Sequence, residues 1–458
     1  MHPVSKAILP ILLLAGAGVH AAPLAAQFAD TALPARQAEI DAIVREISPA
    51  RIGAYVDKLA SFGTRHTMSE TASDTRGIGA ARRWIKSELE RCGGGRLDVQ
   101  FQSHVHPVAP RIPRPTEIVN VVATLPGTQA ASRDRYYIVS GHYDSRVTDV
   151  MNATADAPGA DDDASGTAAV IELACVMARH KFDASLVFMT VAAEEQGLYG
   201  SGDYAAKAKA AGMNIGGMLN NDIIGSSHDE HGKVDNAEVR LFAEGVPPVK
   251  ETAPALRTLI RTGGENDSVT RQLARHVKET GERYVPGFKV NIVYRRDRYL
   301  RGGDHSPFLD AGYAAVRFTE PHEDFDHQHQ DLRTDHGKKI GDLPEFVDPE
   351  YAAQVARVNA AALASLALAP AAPRDVKIVT ANLDNGTDLA WKANAEPDLA
   401  GYRVVWRETT GPQWQGSRFV GNVTHYRLDL SKDDLLFGVQ AVDKDGNVSP
   451  ATYPIPAR

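Results

Sequence analysis

The stretch Pro158-Gly159-Ala160-Asp161-Asp162-Asp163-Ala164-Ser165-Gly166, followed at once by the apolar run Thr167 to Met177, decides how this chain is read. Three consecutive carboxylates between glycines repel one another and make poor core material. Asp and Ser are also strong acceptors for the free N–H groups at a helix start, so a solvated cap is one reading. The second reading is a metal-ligating loop. It gains weight from further candidate ligands at the ends of neighbouring predicted strands, which with the loop describe a two-metal hydrolytic site.

Working outward, Gly141-His142-Tyr143-Asp144-Ser145 follows the predicted strand Tyr136 to Ser140. An imidazole can give one nitrogen to a metal while a carboxylate or carbonyl fixes the other. A structural, hydrogen-bonded His142 fits the same pattern. Glu194-Glu195 follows the strand Leu186 to Ala192, and two adjacent acids there can divide ligation and proton handling. Asp222 follows the strand Met218 to Asn221. Late in the chain, Glu323 to Asp331 contains His327 and His329, either of which can ligate, and a surface His-rich loop competes with both.

Val119 to Leu125 and Ala314 to Phe318 read as further strands, with helices at Thr167 to Arg179 and Gly202 to Ala211. Continuous apolar strands between helices indicate an α/β fold with a mostly parallel twisted sheet flanked by helices. Ligands in such sheets bind beyond the carboxyl ends of the strands, where these acids and His142 converge. Ahead of the sheet, helical spacing appears in Gln37 to Ile47, from Pro49 through Leu59, and in Ile78 to Arg91. Asp348-Pro349 starts a last Ala-rich helix reaching about Leu366.

Ala369-Pro370-Ala371-Ala372-Pro373 has the composition of a linker. Beyond it the pattern turns all-β, with Leu389, Trp391, Tyr402, Val404, Trp406, Leu428, Phe437 and Val439 on short alternating runs. Residues 374–458 are expected to form a sandwich that resembles a fibronectin type III module. The expected organisation is a signal peptide over 1–26, a main domain over 27–368 and this module.

At 458 residues, with 43% hydrophobic and 24% charged residues, the chain has the make-up of a multi-domain globular protein. A net charge of −8 and a pI near 6.1 argue against nucleic acid or anionic membrane as partners. Lys6 and the apolar Ala7 to Gly18 read as a secretory signal, with small-residue cleavage sites ending at Ala21 and Ala26. The mature protein is expected to be exported, periplasmic or extracellular, and not membrane-spanning. Cys92 and Cys175 are the only cysteines: export permits a disulfide between them, and two small buried thiols fit equally well.

The order His142 in Gly-His-x-Asp, Ala-Asp-Asp-Asp-Ala-Ser-Gly, Glu194-Glu195-x-Gly-Leu and Asp222 after an apolar run resembles the co-catalytic zinc aminopeptidases of clan MH. That group includes bacterial leucyl aminopeptidases, aminopeptidase Y and glutamate carboxypeptidase, and the resemblance covers about Gly63 to Leu366. It implies a zinc exopeptidase fold and two Zn²⁺ per chain. It makes Asp162 the bridging ligand, His142 and Asp222 the rest of one site, and Glu195 and His327 the rest of the other. His327 is preferred to His329 because the family pattern places an acid- or amide-rich turn after the ligand. Glu194 is then the general base, Asp144 orients His142, and Asp304-His305 lines the site. Peptides are the implied substrates, approached from a free α-ammonium that the acids Glu194, Glu195 and Asp222 attract. Alternatives on the same fold are a single-zinc glutaminyl cyclase, a carboxypeptidase and a non-catalytic binding ectodomain. The C-terminal module is expected to be free to bind a surface or polymer.

Overall fold

The computed structural model describes residues 35–246, 254–381 and 384–457, so the signal-peptide reading lies outside the described residues. Three helices come first: α1 (Ala38–Glu46), α2 (Pro49–Ala60) and α3 (Gly77–Gly93). Ser48 caps α2 by accepting the Arg51 N–H at 3.3 Å, and Pro49 fills the first turn, where its missing N–H costs nothing.

An eight-stranded sheet follows. Its strands are β1 (Asp98–His106), β2 (Thr116–Leu125), β3 (Arg135–His142), β4 (Ser185–Val191), β5 (Asn214–Asn221), β6 (Glu238–Ala243), β7 (Lys289–Val293) and β8 (Ala315–Thr319). The spatial order is β1-β2-β4-β3-β5-β8-β6-β7. The centre, β4-β3-β5-β8, is parallel, while β1/β2, β2/β4 and β6/β8 pair antiparallel. Interleaved helices are α4 (Gly166–Met177), α5 (Glu194–Gly197), α6 (Tyr199–Ala210), α7 (Pro254–Arg261), α8 (Val269–Tyr284), α9 (His305–Asp310) and, after the short hairpin β9 (Arg333–Asp335) and β10 (Lys338–Ile340), α10 (Pro349–Leu368).

Two apolar cores explain the layering. One joins α1–α4, α8 and α10 to the sheet; the other joins α6 and α9 to Ile138, Val187, Met189 and Met218. Every residue of α4 is buried, as for a helix apolar all round. Its one acid, Glu172, is compensated by the Ser48 N–H at 2.8 Å and the Arg51 Nε at 2.8 Å. Cys92 of α3 and Cys175 of α4 form a disulfide, which resolves the alternative left open by the sequence. No helix of the described residues is long and apolar enough to cross a membrane.

The C-terminal strands are β11 (Arg374–Val379), β12 (Thr387–Lys392), β13 (Leu399–Glu408), β14 (Gly416–Gly421), β15 (His425–Leu428), β16 (Leu435–Asp443) and β17 (Ile455–Ala457). They form a four-stranded sheet, β15-β12-β11-β17, and a three-stranded one, β14-β13-β16. Both contribute to one core, with Trp391 and Tyr402 rings 5.2 Å apart. The Pro-Ala segment before β11 does not hang free. Arg135 Nη2 donates to Ala369 O at 2.7 Å, and Glu396 Oε1 accepts the Ala371 N–H at 2.7 Å.

Candidate metal centre

His142 is the last residue of β3, Glu194 and Glu195 open α5 just past β4, and Asp222 follows β5. These neighbouring parallel strands deliver their carboxyl ends to one place, as expected for open α/β sheets. The turns that aim the side chains are strained. Ala193 (φ 61°), Ile223 (φ 62°) and His329 (φ 58°) are all left-handed non-glycine residues, and left-handed backbone is costliest for a β-branched residue such as Ile223. Such strain persists where surrounding contacts over-determine it, often at functional sites. At Ile223 the carbonyl accepts the Glu320 N–H at 2.9 Å and the Thr319 hydroxyl at 3.1 Å.

The three loop acids are buried rather than solvated, and each has a separate task. Asp161 Oδ1 accepts the Gly225 N–H at 2.7 Å. Asp163 does the capping: its Oδ1 accepts the Gly166 N–H at 2.9 Å, and its Oδ2 accepts the His142 N–H at 2.8 Å. Asp342, absent from the sequence reading, receives the backbone N–H groups of Asp161 and Asp162 at 2.7 and 2.8 Å. The Asp162 side chain is thereby left for the cavity. Gly166 is needed because a Cβ there would lie 2.3 Å from the Asn221 carbonyl oxygen.

Two clusters of ligand-type atoms share Asp162. His142, Asp162 and Asp222 form one; Asp162, Glu195 and His329 form the other, with ligand atoms within 4.8 Å in each. His142 Nε2 lies 3.0 Å from Asp162 Oδ1, and His329 Nε2 lies 2.8 Å from Asp162 Oδ2 and 2.9 Å from Glu195 Oε1. Asp162 Oδ1 and Glu195 Oε1 nevertheless have no hydrogen-bond partner despite burial. Buried carboxylate oxygens that face nitrogen without bonding it need another positive partner, and a nitrogen–oxygen donor set without thiolate suits zinc. Both groups of residues therefore fit a metal ion, and Asp162 belongs to both.

His327 is not part of this set. Its ring stacks on Phe346 at 3.8 Å, and its Nδ1 lies 3.4 Å from Asp324. His329 stands in the position that the sequence reading gave to His327. The backbone explains the difference: the left-handed turn at His329 swings that side chain inward, and no spacing rule announces such a turn.

The surroundings fix the ligands. His142 Nδ1 lies 3.1 Å from the Asp144 carbonyl oxygen, so Nδ1 carries a proton and Nε2 is the nitrogen that faces the cavity. The Asp144 carboxylate stands 3.6 Å from that ring and instead accepts the Glu194 and Glu195 N–H groups at 3.3 and 3.2 Å. Asp144 thus positions the acid pair as well as the imidazole. Arg317, fully buried, stands 2.8 Å from Asp222 Oδ1 and bonds Asp297 Oδ2 at 3.2 Å. His305 lies 3.5 Å from the same Asp297 oxygen, which makes the Asp304-His305 segment a support for Asp222 through Arg317.

Arg146 bonds Glu195 Oε2 at 2.8 Å and stands 2.6 Å from His329 Nδ1. Ligation through Nε2 leaves the ring proton on Nδ1, which turns that second contact from a bond into a competitor. Glu194 lines the cavity with Asp162, Glu195, Asp222 and His329. Burial pushes its carboxyl well above the usual range; His142 opposes this, and the Asp222, Glu195 and Asp304 charges add to it. The sequence reading missed Arg111, Arg146 and Arg298, which also line the cavity.

Comparisons with known proteins give the family. The profile of peptidase family M28 matches residues 120–340. A "probable zinc metalloprotease" of Leptosphaeria maculans is 52% identical over 92% of this chain and 98% of the relative. One of Pyricularia oryzae is 52% identical over 92% of this chain and 85% of its own length. The fold is similar to LapA of Legionella pneumophila (TM-score 0.52, 18% identity, 74% of this chain and 79% of that one). It is also similar to an aminopeptidase from Aneurinibacillus sp. strain AM-1 (TM-score 0.50, 16% identity, 71% and 95%). The chain is a metalloprotease of peptidase family M28.

Proposed function

We propose that the chain is a zinc-dependent aminopeptidase that holds two Zn²⁺ ions, exported to an oxidising compartment. The observation that carries this reading is the pair of ligand clusters sharing Asp162, with Glu194 beside them in one cavity. His142 and Asp222 would hold one ion, Glu195 and His329 the other. Two such ions bring Lewis acidity to a site, lowering the pKa of water toward neutrality and polarising a carbonyl. The residues of the chain do the rest. Glu194 accepts a proton from the attacking water at its carboxylate and returns it to the leaving amine. Asp144 holds the Glu194 and Glu195 backbone so that base and ligand keep separate directions.

Glu194, the cavity acid not assigned as a ligand, favours a substrate with a free α-ammonium. The Cys92–Cys175 disulfide suits a periplasmic or extracellular location, because such bonds persist in oxidising compartments. The test is a panel of free and N-acetylated aminoacyl arylamides, with chelator and with added zinc. Cleavage of the free series alone, abolished by chelator and restored by zinc, is the expected result. Efficient hydrolysis of N-blocked peptides from the carboxyl end would replace the aminopeptidase reading with a carboxypeptidase one.

A further inference from the structure

The acids of the cavity are matched by guanidinium groups. Arg111, Arg146, Arg298 and Arg301 line it alongside Asp162, Glu194, Glu195 and Asp222. Ions held by the ligand clusters would neutralise the carboxylates of Asp162, Glu195 and Asp222 and leave the arginines as a positive rim. Arg111 and Arg146 lie on the Glu195 side: Arg111 Nη1 donates to the Glu195 carbonyl at 2.7 Å, and Arg146 bonds the Glu195 carboxylate.

Arg298 and Arg301 lie on the Asp222 side, on the segment whose Gly302 carbonyl accepts from Arg317 at 2.7 Å. Both donate from Nη1 to one oxygen, Glu323 Oε2, at 2.7 and 2.8 Å. Arg240 takes the other Glu323 oxygen at 2.9 Å. One carboxylate therefore serves three guanidiniums, and it does not balance them. Asp297, which Arg298 Nε also bonds at 3.1 Å, is shared with Arg317. Arg301 Nη2 is further pinned to Gln328 Oε1 at 3.1 Å. Arg298 Nη2 and Arg301 Nε take no part in these bonds. Guanidiniums held rigid with N–H groups to spare are prepared receptors for a planar anion.

We infer that Arg298 and Arg301 receive a carboxylate of the substrate, so that preferred peptides carry an acidic group beside the scissile bond. The inference rests on the peptidase reading above. The carboxylate has two sources, an N-terminal Asp or Glu side chain or the free α-carboxylate of a dipeptide. In either case a neutral isostere leaves the spare N–H groups without a charged acceptor, a loss that sites built for polar partners penalise heavily.

Paired substrates test this on the zinc-loaded full chain: Glu against Gln arylamides for the first source, Ala-Ala against Ala-Ala-amide for the second. The charged member of one pair should have a kcat/KM higher by about 10-fold or more. That ratio should collapse in Arg301→Gln and recover in part in Arg301→Lys. The responding pair identifies the source. Calorimetric titration with glutarate and with glutaramide reads the same receptor without turnover. Glutarate should bind more tightly to the wild type, and the advantage should vanish in Arg301→Gln. Equal kcat/KM within both pairs, or equal binding of glutarate and glutaramide, would overturn the inference while leaving the peptidase reading intact. Hydrolysis of N-blocked peptides alone would overturn the aminopeptidase reading and leave the calorimetric comparison to decide the receptor.

Discussion

In the proposed mechanism the chemistry turns on Glu194 and His329. Replacing Glu194 by Gln removes the proton acceptor without removing a ligand. Glu194→Gln should keep its metal content and lose about 10²- to 10⁴-fold in kcat, the usual worth of a general base. Wild-type turnover in that variant would show that the base lies elsewhere. The two histidines are separable in the same way. His329→Ala should lose metal and activity, whereas His327→Ala, which removes only a ring stacked on Phe346, should keep both. Elemental analysis of the two variants decides between them. Most of this site was legible because His142, Glu195 and Asp222 sit at or just past strand ends, where chain order alone predicts convergence. The choice of His329 over His327 was not, because the direction of that side chain depends on a left-handed φ that carries no sequence signature. Arg317 and Asp342 were equally hidden, since partners that act through burial have no spacing relative to the ligands they support.

Apolar periodicity exposed the elements buried on both faces and missed those that are not. The strand β1 lies at the sheet edge and alternates buried with exposed residues only weakly, and α8 carries many charged side chains on a helix that is largely buried. The start of β5 was obscured by Gly216 and Gly217, yet a Cβ at Gly216 would meet the Tyr137 ring at 2.8 Å. The glycine marks close packing, not a break. Within α8, His276 bonds Ser365 of α10 at 3.1 Å. Burial, then Arg283, depress its pKa to about 3. An unfolded His titrates near about 6.5, so between that value and about 3 the unfolded chain binds a proton that the folded chain refuses. Stability should fall as pH drops through this window. His276→Gln should flatten the urea midpoint between about pH 6.5 and pH 4 relative to the wild type. An unchanged slope would show that His276 is protonated in the fold. The disulfide ties α3 to α4 across a separation of 83 residues. The double variant Cys92→Ser, Cys175→Ser should lose about 2–5 kcal/mol of stability by chemical denaturation. A loss below about 0.5 kcal/mol would show that the loop is constrained without it.

At the scale of the whole molecule, the C-terminal sheets are docked rather than tethered. Asp267 ahead of α8 is fully buried and bonds Arg275 at 2.9 Å and Arg407 of β13 at 2.6 Å. Arg275 Nε reaches on to the Pro412 carbonyl at 2.8 Å. Composition marks the linker correctly, but it cannot reveal that a buried ion cluster closes the joint, because the partners lie 140 residues apart. Breaking a buried pair leaves an uncompensated charge at a cost of about 3–5 kcal/mol. Arg407→Met should therefore lower the melting temperature clearly, and so should truncation near Pro370, although among the described residues no candidate ligand cluster lies beyond that point. Unchanged melting of both proteins would mean that the two parts are energetically independent.

The central claim is that one chain holds two ions bridged by Asp162, and metal content per chain tests it most directly. Elemental analysis of the purified protein after zinc loading and mild dialysis should give a ratio near two, falling in Asp162→Asn. A ratio of one that persists through zinc supplementation, with full peptidase activity, would contradict the account.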